Sequence, residues 1–126
     1  MGFGPSAIYI LDNKGKVIIH RAYRGDAPSS TVVSDKFIRQ VLDGDELTVR
    51  PVFLDNEINY MWIKYSNIYI VATSKLNANA MMVFAFLYKL SEVFTEYFRE
   101  LEEESIKDNF VVIYELLDEM IDNGYP

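Results

Sequence analysis

The sequence predicts an α/β sandwich, five strands forming one sheet with one helix on one face and two on the other. Three observations carry this expectation. The 126 residues are half apolar, enough for one domain with a real core and too few for two ordinary ones. Short β-branched and aromatic runs alternate with segments of helical periodicity in the order β-β-α-β-β-β-α-α. The first such run is apolar on both sides: Ile8 and Ile10 point one way, Tyr9 and Leu11 the other, so that strand needs cover on both faces.

AIYIL (Ala7 to Leu11) and KVIIHRAY (Lys16 to Tyr23) are separated by Asp12-Asn13-Lys14-Gly15, a turn sequence that joins them as a hairpin. Ser29 or Ser30 can cap a helix from about Thr31 to Leu42, where Val33, Phe37, Ile38, Val41 and Leu42 recur at helical spacing before Asp43-Gly44-Asp45 ends it. RPVFL, INYMWIKY and IYIVAT, joined by Asp55-Asn56-Glu57 and Ser66-Asn67, read as a three-stranded meander, with Pro51 placing its first strand at an edge or a strand start. From Asn79 to about Leu101, residues Val83, Phe84, Leu87, Leu90, Phe94, Phe98 and Leu101 share one face, which predicts a long helix on the sheet. A last helix begins at Glu102 to Ser105; Ile106, Phe110, Ile113, Leu117 and Met120 keep helical spacing through a VVIY segment that locally resembles strand. Gly124 suits a left-handed cap and Pro126 cannot continue a helix, so this helix stops there. The centre of the core is expected at Ile10, Val17, Ile70, Phe84, Leu87 and Phe110.

Without cysteine the chain has no disulfide frame and no thiolate chemistry, and a cytosolic setting fits best. The longest apolar run, Ala80 to Tyr88, is far below the roughly 20 residues that span a bilayer, and no signal-like segment opens the chain, so a soluble domain is expected. The net charge of −7 is uneven: residues 1–90 carry ten Lys/Arg against eight Asp/Glu, and residues 91–126 carry two against eleven. That distribution opposes nucleic-acid binding, whose footprint is a clustered basic face; it reads first as a solvated helix face and second as a surface for a basic protein partner.

The catalytic inventory is thin. His20 is the only histidine and lies mid-strand with no acid–base partner in its segment. Ser29, Ser30 and Ser34 surround a helix start, where capping accounts for them, and no G-x-S-x-G elbow is present. Glu102-Glu103-Glu104 and Asp43-Gly44-Asp45-Glu46 lack any metal-loop spacing, and Gly2 and Gly4 do not form a phosphate loop. MGFGPS fits the loose pattern for N-myristoylation of Gly2, but bulky Phe3 and Pro5 make an ordinary N-terminus the better reading. No catalytic, cofactor or metal residue is therefore assigned. One positive feature remains on the long helix, whose outer face shows Met81, Met82 and Ala85, with Tyr88 at their margin, before turning to Lys89, Glu92, Glu96, Arg99 and Glu100. Flexible, polarizable methionines on an outward surface suit a packed protein contact, unless a neighbouring segment of the same chain covers them.

AIYILDNKGKVIIHRAYRGD, MWIKYSNIYIVATSK, FLYKLSEVFTEYFRELEEESIKDNFVVIYELLDE and the terminal GYP together resemble the N-terminal domain of the medium (mu) chain of clathrin adaptor complexes. Tyr23-Arg24-Gly25-Asp26 and the Tyr97 to Ser105 string resemble the trans-Golgi and endosomal adaptor more than the plasma-membrane one. The match covers most of the chain and departs from the family at MGFGPS and from Ala27 to Asp55. The resemblance implies a longin (profilin-like) fold, a five-stranded antiparallel sheet between one helix and two. It further implies a single N-terminal domain, residues 1–126, of a longer chain whose cargo-binding domain would follow. Its implied role is non-catalytic: a scaffold within a heterotetrameric adaptor that packs on a large β-type chain beside a small sigma chain. Arf small GTPases, phosphoinositide membranes and clathrin would be met through the assembled complex, on the cytoplasmic face of the trans-Golgi network, endosomes and coated vesicles. The alternative is a free-standing regulatory longin domain of a SNARE or tethering protein; an enzyme is the weakest reading.

Overall fold

The computed structural model describes residues 5–23, 25, 27–44, 52–55, 57–75, 80–98 and 103–122. The anticipated hairpin is strands β1 (Ala7–Leu11) and β2 (Val17–Ala22), and its turn is built around Asp12. The Asp12 carboxylate accepts from the backbone N–H groups of Lys14 and Lys16, both at 2.9 Å, while Gly15 N–H donates to Asp12 O at 3.1 Å. Gly15 has φ +89°, a conformation that a residue with a Cβ rarely adopts. The meander comprises β3 (Val52–Asp55), β4 (Ile58–Tyr65) and β5 (Ile68–Lys75), and its turns place Glu57 and Ser66 at positive φ. All pairings are antiparallel in the order β2-β1-β5-β4-β3, so β3 is indeed an edge strand and β2 is the other.

Helix α1 (Ser30–Phe37) is capped by Ser29, whose Oγ accepts from Val32 N–H. The predicted helix does not continue regularly to Leu42: Ile38–Leu42 form a π-helical turn, closed by Asp43 N–H donating to Ile38 O at 2.8 Å. This wider turn seats Ile38 and Leu42 directly over Gly15, where a Cβ would stand only 2.6 Å from Ile38 Cγ1. Ser34 Oγ donates to Gly15 O at 2.7 Å, fastening α1 to the hairpin turn.

On the opposite face lie α2 (Ala80–Tyr97), α3 (Glu103–Asp108) and α4 (Phe110–Asp122). The single last helix expected from periodicity is thus two. The break falls at Asn109, whose N–H reaches Ser105 O and Ile106 O while its side-chain amide also donates to Ser105 O at 2.8 Å. Asparagine's side chain competes for backbone partners in this way and interrupts helices. One core packs Ile8, Ile10, Ile63, Ile70 and Ala72 against Val83, Phe86, Leu87, Leu90 and Phe94 of α2, with Ile106, Ile113 and Leu117 completing it. The other packs Tyr9, Leu11, Tyr60, Tyr69 and Val71 against Val33, Phe37 and Val41. This is the longin arrangement, one helical layer on one face of the sheet and the remaining helices on the other.

The expected core centre needs two kinds of correction. Val17 and Phe84 are only partly buried, and Phe110 is 51% exposed, whereas Phe86, absent from the expectation, is fully buried. On α2 the run Val83 to Leu87 is apolar throughout, so periodicity leaves the facing direction free by about one residue, and contact with the sheet fixes it at Val83, Phe86 and Leu87. The Gly124 stop, Leu101, Arg99, Glu100, Pro51 and the first four residues lie outside the described residues.

Candidate partner interface

The four interface candidates occupy one outward stripe at the start of α2. Met81 is 82% exposed, Met82 36% and Tyr88 59%, and Ala85 is exposed between them. Their positions at i, i+1, i+4 and i+7 form a continuous strip along nearly two turns, while the intervening Val83, Phe86 and Leu87 enter the core. Beyond Tyr88 the same surface becomes polar: Lys89 Nζ lies 3.5 Å from Glu92 Oε2, and Ser91 Oγ donates to Tyr88 O at 2.7 Å. Tyr65 Oη and Thr95 Oγ1 are hydrogen-bonded, tying β4 to the polar half of the helix. The stripe is therefore held on a rigid element whose inner face is locked to the sheet.

The residues weighed for catalysis are fastenings. His20 stacks on Tyr9 with ring centroids 5.7 Å apart, and its Nδ1 lies 3.0 Å from Ser30 Oγ in the first turn of α1. Tyr9 Oη donates to Pro28 O at 2.5 Å, and desolvation by burial pushes its phenol up to about 12. Together with Ser34 on Gly15, these contacts hold α1 to the β1–β2 hairpin. Among the described residues no group of three His, Asp or Glu side chains is arranged to hold a metal ion, and no helix is long and apolar enough to cross a membrane.

Sequence reading missed a second apolar exposure, at the junction of α3 and α4. Phe110 and Val111 are each about half exposed, and a groove of ≈ 210 Å³ lies between Phe110 and β2. Ile18, Ile19, Ile106, Lys107, Phe110 and Tyr114 line it. At one end Arg21 makes a two-pronged contact with Asp118, Nε at 3.0 Å and Nη2 at 2.8 Å, and its guanidinium lies over the Tyr114 ring. Hydrogen bonding to Asp118, and then its charge, raise the Arg21 pKa still further. The physical cause is the break at Asn109, which takes Phe110 off the line that periodicity assigned to it.

Comparison with known proteins gives a consistent picture. The family described as "Clathrin adaptor complex small chain" matches residues 6–125. The AP-1 complex subunit mu of Dictyostelium discoideum is 54% identical over 121 residues, 96% of this chain and 28% of that protein. The AP-1 complex subunit mu-2 of Bos taurus is 52% identical over 122 residues, again 96% of this chain and 28% of the relative. The AP-1 complex subunit mu-1 of Arabidopsis thaliana is 45% identical over 128 residues, 100% of this chain and 29% of its own length. The chain thus spans between a quarter and a third of these relatives. Among structures, a chain of a homology model of the full-length AP-3 complex in a stretched open conformation superposes with TM-score 0.77 at 13% identity, covering 95% of this chain and 82% of that one. Myxococcus xanthus MglB superposes with TM-score 0.55 at 13% identity, covering 77% and 85%. At such identities these two likenesses speak to the fold alone.

Proposed function

Because the chain belongs to the clathrin adaptor complex small-chain family, we propose that it is the N-terminal longin domain of a mu-type adaptor subunit, serving as a non-catalytic scaffold in vesicle-mediated protein transport between the trans-Golgi network and endosomes. In this reading it packs against a large β-type chain, beside a small sigma chain of the same fold. Arf small GTPases, phosphoinositide membranes and clathrin are reached through the assembled complex, on the cytoplasmic face of the membrane. The domain uses no cofactor and binds no nucleic acid. Its identity to AP-1 mu relatives supports the adaptor class.

The observation that carries the scaffold role is the stripe of Met81, Met82, Ala85 and Tyr88, apolar and outward on a helix whose other face is already buried in its own core. A helix serving only its own domain keeps a polar outer face along its length. Met82→Asp places a carboxylate on the stripe without emptying the core, so thermal unfolding should change little. Co-purification with the β-type chain should fall sharply, since an unpaired charge buried in an interface costs on the order of 3–5 kcal/mol. Met81→Asp, at the more exposed position, is the companion variant. If both variants fold and both bind the β-type chain normally, the contact lies elsewhere.

A further inference from the structure

We propose that the open edge of β2, with the groove beneath it, docks an extended protein segment that is basic and carries apolar side chains at alternate positions. Three independent features converge there. The first is the strand edge itself: among the described residues nothing pairs with β2 on the side away from β1. Tyr23 N–H donates to Ser6 O at 2.8 Å, and backbone direction alternates along an antiparallel strand, so Arg21 and Ile19 face β1 while the N–H and C=O groups of His20 and Ala22 point outward. A peptide added at such an edge gains its affinity from main-chain hydrogen bonds and its selectivity from pockets for every second side chain.

The second feature is that pocket. Simple alternation would send Ile18 to the α1 face with His20, but the register of β1 and β2 shifts between Ile10 and Leu11, and Ile18 joins Ile19 in lining the groove. With Ile106 and Phe110 opposite, the groove offers an apolar floor along the open edge, and alternate side chains of an added strand, about 6.8 Å apart, would enter it. The third feature is charge. The described parts of α3 and α4 expose Glu104, Asp108, Glu115 and Glu119 against one exposed cation, Lys107, which lines the groove, while Arg21 of β2 is paired with Asp118. This field attracts a cationic segment and repels both an acidic peptide and an anionic membrane surface. The site is lined by β2, α3 and α4 and not by α2, and it is independent of the adaptor reading.

The test uses the labelled peptide Lys-Lys-Thr-Val-Thr-Leu-Thr-Val-Lys-Lys, titrated with the chain and followed by fluorescence anisotropy. Saturable binding is expected, weakened at least about tenfold by Phe110→Asp and by the charge reversal Glu115→Lys with Glu119→Lys, and similarly weakened when the peptide lysines become glutamates. Hydrogen exchange should slow at the His20 and Ala22 amides when the peptide is bound. Should Phe110→Asp fail to fold, the double reversal on exposed positions decides alone. Absence of saturable binding, binding indifferent to the charge reversal, or protection that spares His20 and Ala22 overturns the proposal. So does Phe110-dependent binding to phosphatidylserine vesicles without binding to the peptide, which would make the groove a lipid contact.

Discussion

Gly15 concentrates several constraints on one residue. Its φ of +89° already disfavours a side chain, and a Cβ there would meet Ile38 at 2.6 Å and Leu42 at 2.9 Å. Gly15→Ala should therefore destabilise the fold by roughly 1–3 kcal/mol, read as a lower urea midpoint with unchanged slope. Leu87 shows the opposite limit, a side chain fully buried between α2 and the sheet. Leu87→Ala leaves a cavity and should cost about 2–5 kcal/mol in the same experiment; a change within about 0.5 kcal/mol would place Leu87 outside the core. Tyr9 gives a pH dependence. Its phenol titrates near 10.0 when unfolded and near 12 in the fold, so the native state holds the proton more tightly. Stability is full below pH 10 and declines as pH rises toward about 12. Tyr9→Phe should lose less stability than the wild type across that window, although at neutral pH it forfeits the bond to Pro28 O. Denaturant midpoints measured at both ends of the window check the difference.

Helix α2 divides its residues between two faces: Val83, Phe86, Leu87, Leu90 and Phe94 pack on the sheet, while Met81, Met82, Ala85 and Tyr88 face outward. The α3–α4 pair is governed by its interruption. Asn109 ends α3 through Ser105 O and begins α4 by accepting from Ile113 N–H at 3.0 Å, which lets Ile106 and Ile113 both reach the core. Asn109→Ala removes the side-chain bond and should cost about 1 kcal/mol. The expected signature is faster amide exchange confined to the α3–α4 junction, with α2 unaffected. Arg21–Asp118 then ties α4 back to the edge strand, spanning 97 positions of sequence with a contact that stays solvated.

Both sheet faces of the molecule are covered, each by its own core, and β1, β4 and β5 contribute side chains to both. Surplus acidity is segregated to the C-terminal part, residues 91–126, which distinguishes the surface of α3 and α4 from the near-neutral remainder. Under the scaffold reading we propose that this chain, which spans 28% of the AP-1 mu relative of Dictyostelium discoideum, does not itself bind tyrosine-based sorting signals. Titration of the chain with such a peptide should then give no saturable binding at micromolar concentration. Saturable binding abolished by replacing the peptide tyrosine would move cargo recognition into this domain.

The residues alone established the two-sided sheet, the hairpin turn at Asp12 to Gly15, the meander and the outward stripe of α2, because each depends on local periodicity or on turn chemistry within a few positions. The strings that resemble adaptor medium chains pointed to the family, which the family match and the relatives then show. The break at Asn109 and the π-helical turn at Ile38–Leu42 were not legible, since both interrupt patterns that read as continuous helix. Phe110 and Phe84, expected at the core centre, are half exposed and partly buried, and Phe86, given no place there, is fully buried, for a related reason: a helix face defined by sequence is broad, and only contact with Ile10, Ile70 or Ile19 on a distant strand selects which part of it is buried. The groove beside β2 depends further on a register shift between two strands and a kink between two helices. Those are relations between elements far apart in the chain, and no single stretch of residues encodes them.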